Sequence, residues 1–115
     1  MELVKLSDTY IKKNGANCDV LEYPFKNGLM DLGIATIRGK YPLDGYVSNL
    51  ESSMLVYVLE GSVILHFRNR EVNLSKGDSI MISPLEEYYW DSLDMGKIVM
   101  VCNPAFDPDK YKLTK

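Results

Sequence analysis

The chain is a succession of short apolar runs separated by turn signals. The runs are CDVLEY, LMDLGIATIRG, MLVYVL, SVILHF, EVNL, SIMIS, EEYYWD and KIVMVC, and they are rich in β-branched and aromatic residues. Runs of this length and spacing are typical of an all-β sandwich or barrel. Helical periodicity is weak throughout. The one helical candidate is a short turn around residues 107–112, where Pro108 follows Asp107 as it would at a first helical position.

Two segments predict local structure most clearly. In VYVLEGSVILHF, two β-rich runs flank Glu60 and Gly61, and a glycine there supplies the positive φ of a tight hairpin turn. In LSKGDSIMIS, Gly77 turns the chain into a strand in which Ile80 and Ile82 alternate with their neighbours. That alternation predicts a strand with one face buried and the other at least half buried.

The run YYW places three aromatic residues side by side. Because alternate side chains of a strand point to opposite faces, Tyr88 and Trp90 are expected on one face and Tyr89 on the other. The pattern alone leaves open which of the two faces is the inner one.

Composition narrows the class of protein. The 115 residues carry a net charge of -3 and no long run of Lys or Arg, so we expect one domain, residues 1–115, that binds neither nucleic acid nor an anionic membrane. Cys18 and Cys102 lie far apart, and Cys102 ends an apolar run, which indicates a buried, reduced thiol. No apolar run is long enough to cross a bilayer and no signal peptide is visible, so a cytoplasmic location is expected.

Two segments together resemble the cupin family, whose small members are single-domain jelly-roll barrels. Met54–Gly61, MLVYVLEG, is similar to the strand that ends the first cupin motif, and Gly77–Trp90, GDSIMISPLEEYYW, is similar more loosely to the second. The resemblance covers about residues 41–102. It implies a double-stranded β-helix barrel over about residues 17–102, followed by a C-terminal tail over 103–115.

The metal ligands of the family are missing from this sequence. In metal-binding cupins the first motif supplies two histidines and a glutamate, and the second supplies another histidine. The glutamate position falls here on Met54, the third histidine position on Tyr88, and the motif glycine on Leu85. The first two histidine positions fall on either Ser48 and Leu50 or Val47 and Asn49. Because an amide, a thioether and a phenol are poor ligands for divalent transition metals, we expect no metal and no other cofactor.

The motif register implies that Tyr88 and Trp90 look into the barrel. We therefore expect an aromatic-lined cavity whose ligand-binding residues are Asn49, Met54, Tyr88 and Trp90. The predicted function is that of a metal-independent cupin that binds a small organic molecule, a carbohydrate or another metabolite. A barrel filled by these same side chains, with a structural or interaction role, is a second interpretation.

The competing functional hypothesis is a metal-independent isomerase or epimerase. Some sugar epimerases of the cupin fold use a histidine base with a tyrosine acid. Tyr88 offers the acid, and the only histidine, His66, becomes a candidate base if it points inward.

A homodimer is also expected. Leu55, Tyr57 and Leu59 alternate with the inward residues of their strand and therefore present an apolar outer face. Exposed apolar patches of this kind mark interfaces.

Overall fold

The computed structural model describes all residues, 1–115, and contains ten β-strands and no α-helix. The strands are β1 (Tyr10–Lys13), β2 (Cys18–Tyr23), β3 (Leu32–Ile37), β4 (Tyr46–Asn49), β5 (Ser53–Phe67), β6 (Glu71–Ser75), β7 (Ser79–Ile82), β8 (Tyr88–Asp91), β9 (Gly96–Asn103) and β10 (Tyr111–Thr114). Single 3₁₀ turns lie at Leu6–Asp8 and Pro108–Lys110. No helix here is of a length and hydrophobicity that would carry it through a bilayer.

All strand pairs are antiparallel, and they follow the order β1-β2-β3-β9-β5-β8-β4-β10, with β6 and β7 both paired to β5. The sheet curls so that one face of every central strand looks inward. The expected all-β class is confirmed. The C-terminal helical turn is the 3₁₀ turn at Pro108–Lys110, and the Asp107 side chain caps it by accepting a hydrogen bond from the backbone N–H of Asp109.

The hairpin expected at Glu60-Gly61 is wrong. Strand β5 continues past Gly61 without a chain reversal, and its register against β9 shifts between Val58 and Glu60. The buried positions of β5 are even-numbered up to Val58 and odd-numbered from Val63. A bulge that adds one residue to a strand has this effect. Gly61 has a φ of 69°, so its left-handed conformation serves a bend within one strand instead of a reversal of the chain.

The bend lets β5 serve both halves of the barrel. Its first part pairs with β7 and β9, and its second part pairs with β6 and β8. The core lies between these halves. The largest of the fully buried side chains are Ile37, Val56, Val58, Val63, Leu65, Ile82 and Ile98.

The sheet extends beyond the expected bounds of the barrel at both ends of the chain. Strand β1 pairs with β2, and the tail forms β10, which pairs with β4 through Tyr111↔Asn49 and the residues that follow. The tail is thus docked along its length, and Phe106 and Tyr111 pack edge to face with ring centroids 5.2 Å apart. Strands β1 and β10 are the two ends of this strand order, and β6 and β7, which pair only with β5, have free edges as well.

The outer face of β5 and β7 is apolar and exposed. Leu55 pairs across the strands with Met81, and their exposed fractions are 45% and 61%. Tyr57 lies beside them and is equally open. The second face of β7, expected to be at least half buried, is therefore exposed at Met81, because no element covers this side.

Candidate ligand cavity

A cavity of about 210 Å³ lies inside the barrel. Its wall is built from the inward-facing residues of the sheet and from the tail. The residues that line it are Lys12, Asn14, Cys18, Val20, Glu22, Asp31, Gly33, Ala35, Ile37, Tyr41, Asn49, Met54, Tyr88, Trp90, Met100, Cys102, Phe106, Pro108 and Tyr111. The barrel is therefore not filled by its own side chains.

The aromatic run of β8 divides between two faces as strand alternation requires. Tyr88 and Trp90 are each only 3% exposed, line the cavity, and pack edge to face with centroids 6.0 Å apart. Tyr89 lies on the opposite face, where its ring stacks on His66 at 4.3 Å. The inner face of this strand is thus both core and cavity wall.

The four residues predicted to bind a ligand all line this one cavity. Asn49 comes from the end of β4, Met54 from the start of β5, and Tyr88 and Trp90 from β8. Strand pairing brings them together, since Val47 of β4 is the register partner of Tyr88. Sequence reasoning therefore identified one part of the cavity wall.

Leu85 supports the register on which that prediction depended. It is the only residue other than glycine with a positive φ, at 72°. The cupin motif has a glycine at this position, and the backbone keeps the left-handed conformation although the side chain has changed. The Leu85 N–H donates to the Asn49 carbonyl at 2.8 Å, so this loop also fixes the backbone at Asn49.

Three phenols share the cavity. Burial raises the pKa values of Tyr88, Tyr111 and Tyr41, and each is affected by at least one of the other two. A polar contact with the Asn49 amide offsets a part of this effect at Tyr88. The phenols therefore stay protonated at neutral pH and offer hydroxyl groups to a ligand.

Both cysteines face the cavity as free thiols. Burial raises the pKa of Cys18 to about 12, and burial together with the Asp31 charge raises the pKa of Cys102 to about 12. Because the thiolate is the nucleophilic form, neither cysteine is activated for covalent chemistry.

A charged corner, made of Lys12, Glu22 and Asp31, closes one end of the cavity. Lys12 lies on β1, Glu22 lies on β2 and Asp31 directly precedes β3, and all three line the cavity. Lys12 pairs with Val20 and Glu22 pairs with Gly33, so Glu22 is a diagonal neighbour of both Lys12 and Asp31. Diagonal neighbours of this kind lie about 7–8 Å apart at Cα, within reach of long side chains.

The two carboxylates of the corner differ in their surroundings. Asp31 is held at both oxygens: Oδ1 accepts from the Cys102 N–H at 3.1 Å and Oδ2 accepts from the Phe106 N–H at 2.8 Å. Glu22 is free of such contacts. Burial and the Asp31 charge raise the pKa of Glu22, and Lys12 offsets part of this rise.

The charged corner was not predicted from the sequence. In CDVLEY, alternation places Cys18, Val20 and Glu22 on one face of β2. That signal was present, but a carboxylate at a strand end is normally solvated, because burying a charge is costly unless the charge is paired.

The residues at the former metal positions do not fit a transition metal. Asn49, Met54 and Tyr88 bring an amide, a thioether and a protonated phenol to the cavity wall. No group of three or more His, Cys, Asp and Glu side chains converges anywhere in the chain in a way that would hold an ion.

His66 lies outside the cavity. The bulge in β5 reverses the phase of the strand, so His66 pairs with Tyr89 on the outer face, with Nδ1 3.3 Å from a Glu71 oxygen. The hypothesis of a histidine base acting with Tyr88 therefore loses its base.

No protein-family model matches the sequence, and comparison with curated proteins finds no match. Solved structures, in contrast, match over most of the chain. Pac13 of Streptomyces, described as a unique nucleoside dehydratase, superposes with a TM-score of 0.87 over 100% of this chain and 92% of its own, at 14% identity.

Two further solved structures are similar to this chain. An RmlC-like cupin of Shewanella frigidimarina matches with a TM-score of 0.73, 21% identity and 88% coverage of both chains. KdgF of a Halomonas species matches with a TM-score of 0.75 and 12% identity over 94% of this chain and 98% of its own. At these identities the likeness establishes the fold, and the chain has the cupin fold.

Proposed function

We propose that the barrel binds a small, hydroxyl-bearing organic molecule, a carbohydrate or another metabolite, without a metal ion. The single observation that carries this proposal is the cavity itself, in which Tyr88 and Trp90 meet Asn49 and the tyrosine hydroxyls. Sites for small molecules combine apolar and aromatic walls with a few polar groups that fix orientation.

The volume limits the size of the ligand. An engineered cavity of about 150 Å³ accepts a benzene molecule, and pockets for drug-sized ligands start at about 300 Å³. The barrel cavity, at about 210 Å³, lies between these values. One ring with a few substituents fits inside, and a larger molecule would have to extend past the charged corner or between the sheet edges.

The polarity of the wall fits a sugar or a base better than a hydrocarbon. Aromatic faces at Tyr88 and Trp90 suit the apolar side of a ring, while Asn49 and Tyr111 offer polar groups at its rim. Among the structural neighbours, Pac13 is a nucleoside dehydratase and has been crystallised with uridine, a sugar joined to a planar base. Two free thiols in the wall are compatible with a reducing compartment such as the cytoplasm.

The chain offers a direct reporter of binding, because Trp90 is its only tryptophan. We would titrate the protein with uridine, D-ribose and D-xylose, recording tryptophan fluorescence and the melting temperature. A ligand that enters the cavity should change the emission of Trp90 and raise the melting temperature, since a molecule that binds only the folded state stabilises it. Compounds that change neither signal contradict binding of this class.

Two matched variants assign the signal to the cavity. Tyr88→Phe removes a hydroxyl inside the barrel, and Tyr89→Phe removes one from the outer face of the same strand. Affinity should fall by about 0.5–1.5 kcal/mol for Tyr88→Phe and stay constant for Tyr89→Phe. Equal effects of the two variants would place the ligand elsewhere.

A further inference from the structure

Glu22 and Lys12 face the cavity as unpaired charges of opposite sign. None of the ion pairs in the molecule involves either residue, although Glu51 and Glu87 each have a cationic partner. The Lys12 ammonium lies 5.9 Å above the Phe106 ring. Both charged groups are therefore available to a molecule in the cavity.

Trp90 adds a polar group to the same wall. The residue is 3% exposed and lines the cavity. The indole N–H is the one hydrogen-bond donor of this side chain, so it is a candidate donor to a molecule bound in the cavity.

Resting on the proposed function, we propose that Glu22 is a catalytic acid–base residue that transfers a proton to and from a carbon beside the carbonyl group of a bound hydroxy-aldehyde or hydroxy-ketone. Lys12 and the cavity phenols are the groups that stabilise the negative charge formed on the carbonyl oxygen. The cavity is then an isomerase or dehydratase site for small sugars, with a carboxylate base in place of the histidine that the sequence had offered.

The reaction balances without any co-reactant. The Glu22 carboxylate takes the proton from the carbon next to the carbonyl, the C–H electron pair becomes the C=C bond of an enolate, and the carbonyl oxygen becomes negative. If protonated Glu22 returns the proton to the same carbon, the result is exchange with solvent or epimerisation. If it gives the proton to the neighbouring carbon, while the hydroxyl proton of the enediol moves to the former carbonyl oxygen, the result is aldose–ketose isomerisation. Alternatively Glu22 gives the proton to a β-hydroxyl group, whose C–O bond breaks with loss of water. Electrostatic stabilisation of the enolate oxygen is the main requirement of such a step.

The surroundings of Glu22 suit this role. The raised pKa of Glu22, caused by burial and by Asp31, makes the carboxylate a stronger base than a solvated one. Asp31 is less suited to the task, because each of its oxygens already accepts a hydrogen bond, one from the Cys102 N–H and one from the Phe106 N–H, which hold the carboxylate in place. Asp31 is a positioning residue whose fixed charge tunes Glu22.

The test is hydrogen exchange in D₂O. Glyceraldehyde, dihydroxyacetone, D-ribose and D-xylose are incubated with the protein, and loss of the proton next to the carbonyl is followed by ¹H NMR. We expect the wild-type protein to exchange at least one of these compounds about 10²–10⁴-fold faster than Glu22→Gln does, the usual range for a general base. The rate should rise with pH as Glu22 loses its proton.

Controls separate this proposal from the proposed function. Glu60→Gln changes an exposed glutamate of β5 and should exchange at the wild-type rate. Exchange no faster than in buffer, or equally fast in Glu22→Gln, overturns the proposal. If the same sugars still change Trp90 fluorescence in that case, binding stands and only catalysis falls. If they change neither signal, both proposals fail for this class of ligand.

Discussion

Gly61 and Met95 approach so closely that a Cβ on Gly61 would lie 2.0 Å from the Met95 carbonyl oxygen. The glycine also has a φ of 69°, which L side chains rarely adopt. Gly61→Ala should therefore lower the free energy of unfolding by about 2–4 kcal/mol, through both a backbone clash and a left-handed alanine. Urea denaturation measures the loss.

Gly77→Ala is the matched control for that variant. Gly77 has a φ of 92°, yet nothing lies within 4 Å of its added Cβ. Only the conformational cost of about 1–2 kcal/mol applies there. Equal losses of unfolding free energy in the two variants would contradict a destabilising clash with the Met95 carbonyl.

Leu85 predicts a stabilising substitution. Its φ of 72° is strained for leucine, and its side chain is mostly exposed, so little burial is lost on removal. Leu85→Gly should raise the free energy of unfolding by about 0.5–1 kcal/mol, the relief of strain less the greater entropy of glycine in the unfolded chain. Leu93→Gly, at a more exposed position without a positive φ, should instead cost about 0.4–1 kcal/mol. Chemical denaturation of both variants tests this, and a loss of stability in Leu85→Gly as large as that in Leu93→Gly would contradict strain at Leu85.

Glu22 predicts a pH dependence of stability. The folded-state pKa of its carboxyl is raised above the ordinary value of 4.5, so the folded protein holds the proton more tightly than the unfolded chain. This contribution is fully present below pH 4.5 and is lost as pH rises through the folded-state pKa. The stability of wild type relative to Glu22→Gln should therefore decline as the pH rises above about 4.5 in urea denaturation. A difference that grows with pH would contradict the assignment.

The apolar outer face predicts a homodimer. Leu55, Tyr57 and Met81 form an uncovered patch on β5 and β7. Light scattering should give twice 13.1 kDa, about 26.2 kDa, at high micromolar concentration. Leu55→Glu should give the monomer, whereas Leu43→Glu, on an exposed loop away from the patch, should leave the dimer intact. A wild-type mass of 13.1 kDa would contradict the prediction.

The donor set at the former metal positions predicts a protein purified without stoichiometric metal. Met54 and Tyr88 offer no anionic ligand at neutral pH, since burial raises the pKa of Tyr88. EDTA should leave the melting temperature unchanged. Elemental analysis that finds about one transition-metal ion per chain after dialysis would refute this.

Sequence reasoning located the strands that carry strong local patterns. The bounds of β2 follow CDVLEY residue for residue, and β8 and β9 contain the runs YYWD and KIVMVC. Tyr88 and Trp90 were correctly expected to face the cavity, because strand alternation puts them on one face and the motif register makes that face the inner one. For the first motif the register left two alternatives, of which the pair containing Asn49 includes a residue that lines the cavity. The alternation of side chains between the two faces of a strand is a local property, so it can be read from a single sequence.

The error at Gly61 has a long-range cause. A glycine with positive φ serves a hairpin turn and a bulge equally well, and the flanking runs look the same in either case. What decides is the partner strand β9, whose Gly96 pairs with Gly61. A Cβ on Gly96 would lie 2.2 Å from a Val63 methyl group. Two glycines that are distant in sequence thus allow β5 and β9 to approach each other closely at this point.

Long-range pairing also explains the remaining omissions. Lys12 lies on an edge strand without an apolar pattern, and Tyr111 lies in a charged tail that becomes β10 only by pairing with β4. Neither residue carries a local signal that connects it with the cavity. The charged corner and the cluster of three tyrosines form because residues from both ends of the chain line the same cavity.

The unpaired edges of β1 and β10 have a consequence for how fast a ligand enters and leaves the cavity. Strands β1 and β10 both border the cavity, but no backbone pairing joins them, and the contact between the Lys12 ammonium and the Phe106 ring spans the gap. We therefore expect a small molecule to enter between these strands, where no backbone hydrogen bond has to break. The side-chain motions that such a passage requires take picoseconds to nanoseconds. Entry and escape should then be fast, and weak ligands should show averaged NMR signals instead of separate free and bound ones.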